Sequence, residues 1–155
     1  MKTCVLILEN LRSVENTASI FRTSDGLGVS KIICVGTTPT PLDRFGRKRA
    51  DFAKVSLGAE EMPWEYVKQE NLQETILNLQ KEKFQIISLE LTHESKDLKD
   101  AKSKNKFALI VGNEVDGVSK VALRESDEVV EIPMRGKKES LNVSVATGIT
   151  LFVLI

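Results

Sequence analysis

The order of apolar runs along this chain predicts an α/β domain with a mainly parallel sheet and helices on both faces. The first observation is the set of short strand-like runs, at residues 4–8 (CVLIL), 31–35, 64–67, 84–89, 107–111 and 127–132. The first of them is continuously apolar, as a strand buried on both faces has to be. The second is what lies between the runs: turn residues and segments of helical period. The third is size, because 155 residues with 41% hydrophobic and 28% charged side chains suffice for one well-filled core, so residues 1–155 are expected to form a single domain.

In order, Cys4–Leu8 is expected as the first parallel strand. A helix follows from Ser13, which is suited to cap it, with Glu15 in the first turn where the dipole favours an anion. Gly26 or Gly28 ends it. Val14, Ala18 and Phe21 share one apolar face and Ile20 and Leu27 another, with a polar stripe of Arg22, Glu15, Ser19, Thr23 and Asn16 between. On its own that stripe is better explained as a solvated face. Lys31–Val35 reads as the second strand, GTTPTP as a loop, Trp64–Val67 as a short strand and Asn71–Lys81 as a helix. Phe84–Leu89 is a further strand, with Leu91 and Thr92 just past its end, where open α/β sheets hold ligands. His93 has no recognisable partner and is taken as a surface residue. Glu94–Lys106 is charged enough to be a water-facing helix or loop, and Phe107–Val111 is expected to be a central strand.

Two stretches have a composition that needs a partner. Arg44, Arg47, Lys48, Arg49 and Lys54 crowd into residues 44–54 with only Asp51 beside them, and Phe45 or Phe52 is available to stack on a splayed base. A solubilising surface segment accounts for the same charges equally well. Gly112–Ser119 leaves the central strand with the glycine spacing of a phosphate loop, but Val118 stands where the lysine belongs and Glu114 and Asp116 add negative charge. Such a loop suits a cationic ligand better than a triphosphate, although the acids also fit caps or dimer contacts.

Net charge is zero, so a polyanion partner would have to be met by local clusters. The N-terminal apolar run is too short for a signal peptide and Val143–Ile155 too short for a membrane span, which places the chain in the cytoplasm. Cys4 and Cys34 fit buried thiols better than a disulfide. Two cysteines and one histidine offer no metal cluster of the usual spacing.

The most informative stretch is Glu131–Ala146. An apolar strand stops at Pro133, a loop bearing Arg135, Lys137 and Lys138 around Gly136 follows, and Ser140 or Asn142 is placed to cap the last apolar segment. β-Branched residues leave Val143–Ile155 ambiguous between helix and strand.

IPMRGKKESLNVSVA (132–146) resembles the third signature of the SpoU/TrmH family, in the SPOUT class of S-adenosylmethionine-dependent RNA 2′-O-ribose methyltransferases. ALIVGNEVDGVS (108–119) resembles the second and NTASIFRT (16–23) the first. The resemblance implies a C-terminal trefoil knot, an exception to the rule against threaded chains, and a helix over the last segment. It implies a homodimer whose site draws on both subunits, with Val143–Ile155 as apolar packing surface. It also implies that Leu91, Gly112, Asn113, Ile132, Met134, Ser140 and Leu141 surround S-adenosylmethionine. Transfer to a ribose hydroxyl is assigned by the same resemblance to Asn16, Arg22, Ser140 and Asn142, with Glu114 ordering the second loop.

Arg22 is often given as the base in this family, but a guanidinium pKa above about 12 favours holding the adjacent phosphate instead. RNA contacts are expected from Arg22, Arg44, Arg47, Lys48, Arg49 and Arg135, with tRNA slightly ahead of rRNA as substrate. Ala18-Ser19, where the family often has Gly-Ala, is expected to add bulk at the RNA approach. The end of the chain inside an apolar segment and the lack of a separate RNA-recognition domain leave substrate choice to the dimer or a partner protein. The competing assignment is a non-catalytic RNA-binding or assembly module on the same scaffold. A small-molecule α/β enzyme ranks last for want of a complete nucleotide motif.

Overall fold

The computed structural model describes residues 1–155. Seven strands, β1 (Thr3–Glu9), β2 (Lys31–Val35), β3 (Trp64–Val67), β4 (Gln85–Leu89), β5 (Lys96–Asp97), β6 (Lys106–Gly112) and β7 (Glu128–Glu131), form one sheet in the order β3-β2-β1-β6-β4-β7-β5. All six ladders are parallel. The expected central strand, β6, has three strands on each side. Its neighbours are β1 and β4, so the sheet grows outward in both directions from the middle and the C-terminal strand ends share one edge.

Continuous apolar runs are explained by two cores. Cys4, Leu6 and Leu8 point to one face, where α1 (Val14–Gly26), α2 (Ala50–Ser56) and α5 (Val143–Leu154) contribute Ala18, Phe21, Phe52, Val143 and Leu151. Val5 and Ile7 point to the other, closed by Leu72 and Ile76 of α3 (Leu72–Lys81) and Ala122 of α4 (Lys120–Glu125). Phe21 and Phe52 meet edge to face at 5.1 Å, an arrangement worth about 0.5–1.5 kcal/mol beyond buried area.

The helix boundaries follow their caps. Ser13 Oγ accepts the Asn16 amide at 3.1 Å and opens α1. Asn142, rather than Ser140, opens α5, its Oδ1 accepting the amides of Ser144 and Val145. The buried hydroxyls of Thr147 and Thr150 donate to the carbonyls of Val143 and Ala146, so β-branched threonines sit inside a helix without an orphaned group. Cys34 lies opposite Leu8, which keeps it about 13 Å along the strands from Cys4. Both thiols are free, and burial pushes each up to about 12. No helix is long and apolar enough to cross a membrane.

Two expectations need correction. Glu94–Lys106 is not merely a charged loop: β5 adds an edge strand beside β7, and a 3₁₀ turn at Leu98–Asp100 buries Leu98, with Ala101 buried just after it. Two apolar anchors were enough to fasten a segment whose composition suggested solvent. Phe52 cannot stack on a base, because it is 0% exposed on the inner face of α2.

Candidate functional site

Three loops rise from adjacent C-terminal strand ends and enclose a cleft of about 710 Å³: residues 89–92 after β4, Gly112–Val118 after β6, and 131–141 after β7, with Val143 and Ala146 of α5 behind them. The volume falls within the about 300–1,000 Å³ usual for small-molecule sites. Every residue expected around the cofactor, Leu91, Gly112, Asn113, Ile132, Met134, Ser140 and Leu141, lines it, although the three segments are far apart in sequence.

The middle loop is folded back by its own side chains. Asn113 Oδ1 accepts the amides of Val115 and Asp116 at 2.9 and 2.7 Å, while Asn113 Nδ2 donates to the Asn10 carbonyl at 2.9 Å. Gly117 N then closes onto Asn113 O at 2.9 Å with φ at +66°, the left-handed region. The turn brings Gly117 so close to Gly112 that a Cβ on Gly112 would stand 2.1 Å from the Gly117 carbonyl oxygen. Glycine at 112 is therefore a packing requirement.

Charge on the wall has one sign. Glu90, Glu114, Asp116, Glu131 and Glu139 line the cleft, and no Lys, Arg or His does. Asp116 is matched by Arg12 at 3.1 Å, Glu131 Oε2 accepts Ser95 Oγ at 2.7 Å, and Glu90 accepts backbone amides. The glycine cradle, the mixed apolar and acidic lining and the volume fit a cationic, nucleoside-sized ligand such as S-adenosylmethionine. They do not fit a phosphate. Sequence inspection missed Glu90 and Glu131, whose only signal was an acid directly at the end of an apolar run.

A smaller hollow of about 80 Å³ adjoins it, sharing Asn113, Glu114, Val115 and Val143, and is completed by Leu11, Arg12, Ser13 and Asn16. Asn142 Nδ2 donates to Asn16 Oδ1 at 3.1 Å, and Val143 N donates to Glu114 Oε1 at 3.3 Å. One residue from each signature thus meets at the start of α5. Ser140 stands exposed on the rim of the main cleft. Arg22 is not brought in: it is exposed on α1, about 9 Å along the helix from Asn16, and lines neither hollow. Ala18 is buried in the core, so its methyl group adds no bulk at a solvent approach, contrary to expectation, and only Ser19 is half-exposed.

The basic stretch is less basic than its composition. Asp43, just outside it, pairs with Arg47 at 3.1 Å, Glu61 with Lys48 at 3.4 Å, and Asp51 with Arg49 through two contacts of 3.2 and 3.1 Å. Hydrogen bonds from Arg47 hold the Asp43 carboxyl below its ordinary value, and the Arg49 side chain does the same to Asp51. Asp43 Oδ1 also accepts the amides of Phe45 and Arg47, building a tight turn. Its tip presents Phe45, 66% exposed, with the Arg44 and Arg47 guanidinium carbons 4.8 and 4.9 Å from the ring centre. Arg44 and, in the loop after β7, Arg135 carry no acid partner.

Comparison with known proteins agrees with this geometry. The chain is 35% identical over 151 residues to the 23S rRNA (guanosine-2′-O-)-methyltransferase RlmB of Escherichia coli K12, covering 96% of this chain and 58% of that protein. The RlmB of Vibrio parahaemolyticus is 33% identical over 150 residues, again with 96% of this chain but 57% of the relative covered. The chain therefore spans less than two thirds of the curated relatives it matches. Among solved structures, the A. aeolicus TrmH/SpoU tRNA modifying enzyme superposes with a TM-score of 0.84 at 28% identity, over 99% of this chain and 74% of the other. The AdoMet-bound rRNA methyltransferase of Sinorhizobium meliloti gives 0.83 at 27%, over 97% and 55%. With its residues 3–152 matched by the model of the SpoU rRNA Methylase family, the chain belongs to that family.

Proposed function

We propose that residues 1–155 form a single SPOUT domain that methylates a ribose 2′-hydroxyl of RNA, using S-adenosylmethionine and acting as a homodimer in the cytoplasm. The observation that carries this reading is the cleft itself: three strand-end loops, two of them bearing family signatures, around a nucleoside-sized space whose only lining charges are carboxylates. Bound there, S-adenosylmethionine would supply an electrophilic methyl group carried on a cationic sulfonium. Leu91, Gly112, Asn113, Ile132, Met134, Ser140 and Leu141 would hold it. A wall of acids favours that cation and disfavours a phosphate beside it.

The same wall supports the participation of a second subunit. RNA must bring a phosphate next to the reacting hydroxyl, and no cation lines the cleft to receive it, Arg12 beside it being already paired with Asp116. Arg22, exposed and without an acid partner in its own protomer, is the group we assign to that phosphate across a dimer interface. Asn142, held by Asn16, and Ser140 would orient the ribose hydroxyl, whose proton leaves by way of the clamped phosphate. Glu114 fixes the start of α5 through the Val143 amide. The exposed face of α5 supports the second copy: Val145, Ile149, Phe152 and Val153 form one apolar stripe, with Phe152 76% exposed. Threading of the C-terminal segment through an earlier loop, the family's trefoil knot, belongs to this proposal.

For the substrate, the curated relatives act by name on 23S rRNA, which moves the preference from tRNA to ribosomal RNA. Arg44, Arg135 and the Phe45 tip are the contacts we assign to RNA outside the cleft, with Arg47, Lys48 and Arg49 secondary because each is already paired. Calorimetry with S-adenosylmethionine, followed by transfer of labelled methyl to total RNA and mapping of the 2′-O-methyl mark, tests the proposal. Cofactor binding without transfer to any RNA would favour the assembly-module alternative, and absence of cofactor binding would overturn the reading of the cleft.

A further inference from the structure

The loop that leaves β6 is gripped at its far end by two carboxylates outside all three signatures. Glu9 and Glu90 stand at the ends of β1 and β4, the strands on either side of β6: Glu9 is in register with Gly112, and Leu89, just before Glu90, with Val111. Glu90 Oε2 accepts the Val118 amide at 2.8 Å and Glu9 Oε1 accepts the Ser119 amide at 2.8 Å. Two successive amides are thus held from opposite sides. These are not helix caps, because Ser119 Oγ already caps α4 by accepting Ala122 N at 3.3 Å.

The remaining oxygens separate the two roles. Glu9 is 1% exposed, and its Oε2 accepts Gln69 Nε2 at 2.8 Å, so it is sealed beneath the loop. Glu90 lines the cleft, and its Oε1 accepts the Leu91 amide at 3.0 Å. One carboxylate therefore joins the loop after β4 to the loop after β6. The fit on the far side is tight, since a Cβ added to Gly117 would lie 2.1 Å from Glu90 Oε2. Charge-assisted bonds of this kind are roughly twice as strong as neutral ones.

We infer that Glu90 is a positioning residue for the methyl-donor cleft, locking two of its three walls in register through the Val118 and Leu91 amides. This rests on the cofactor reading given above. Glu90→Gln preserves shape but exchanges one acceptor oxygen for a donor, which then faces an amide N–H. S-Adenosylmethionine affinity is expected to fall about tenfold, the loss of one hydrogen bond to a charged group.

In ligand-free protein, exchange of the Val118 amide proton should quicken, while that of Ser119, held by Glu9, stays slow and reports that the fold is intact. Gly117→Ala pushes on the same carboxylate from the other side, so its effect on affinity should be smaller in the Glu90→Gln background than in wild type. Wild-type affinity in Glu90→Gln, an unchanged Val118 exchange rate, or effects of the two substitutions that simply multiply would each overturn the inference. Wild-type protein that binds no S-adenosylmethionine would overturn the cofactor reading instead, and Val118 exchange would then still decide whether Glu90 holds the loop.

Discussion

The cleft and the segment from Arg44 to Lys54 handle charge in opposite ways. In the cleft, five acids face one cavity with no Lys, Arg or His among the lining residues. In the basic segment, three of five cations are each matched by a carboxylate, two of those supplied from outside the run by Asp43 and Glu61. A charge count along the sequence overstates the second region and understates the first. What survives of the basic segment is a shape, an aromatic ring between two guanidinium groups on a turn built by Asp43. What survives of the acidic one is a field.

The largest effect should come from the cation the cleft lacks. If the acidic wall requires an imported arginine, Arg22→Ala will lower methyl transfer by roughly a hundredfold or more, the scale of losing a positioning group, while S-adenosylmethionine affinity stays within about twofold of wild type. Single-turnover transfer alongside calorimetry checks both. Parallel loss of binding and transfer would give Arg22 a structural role and remove the argument from cleft charge to subunit exchange.

A second prediction concerns the loop that carries part of the acidic field. Gly112→Ala forces a methyl group against the Gly117 backbone, which cannot swing aside as a side chain would. Overpacking of this kind costs about 1–3 kcal/mol, so cofactor affinity should drop roughly 5- to 150-fold if the strain is relieved by moving the loop. Thermal unfolding and cofactor titration on the same variant separate the outcomes: destabilisation with intact affinity would mean that the strain is absorbed in the sheet and the cradle is not needed.

These contrasts also mark how far the sequence was legible. The inner strands were, because strands buried on both faces have to be continuously apolar, and β2 begins and ends where the run KIICV does, whereas the two-residue edge strand β5 in a charged segment was not. The cofactor loops were legible in part, Leu91 from its place past a strand end and Gly112–Ser119 from its acids and glycines, but nothing local to Leu91, Gly112 or Met134 announces that they share one cavity. Parallel register brings them together, and register is a property of the whole sheet. Charge pairing was illegible for the same reason: Glu61 meets Lys48 across 13 residues, around a turn and α2. Phe52 failed as a stacking candidate because periodicity within a seven-residue helix could not say which side met α1.

Unpaired cations should matter more than paired ones on the RNA face. Arg44→Ala or Arg135→Ala is expected to weaken RNA binding and reduce the salt slope by about 1, the signature of one lost phosphate contact. Arg49→Ala should change the slope by much less than about 1, because its guanidinium already serves Asp51. Salt titrations of RNA affinity on the three variants decide it. Equal slopes would mean that the ion pairs open freely on binding and that composition, after all, measures the field.

The smallest effect is a pH dependence confined to the turn. Asp43 is held below its ordinary value of 3.8, chiefly by the Arg47 amide. A carboxyl with a depressed folded pKa contributes stability that is present above its unfolded pKa and is lost as pH falls through the folded one. The turn should therefore stay closed throughout neutral and mildly acidic conditions and loosen only below pH 3.8. Amide chemical shifts of Phe45 and Arg47, followed together with the Asp43 carboxyl, would record one shared transition there. Because the carboxyl sits in a surface turn, half-buried rather than part of either core, the change should leave global unfolding almost untouched. A Phe45 amide that is indifferent to the titration of Asp43 would show that the ring is held by the two arginines alone, and the basic segment would then keep its shape without its nearest acid.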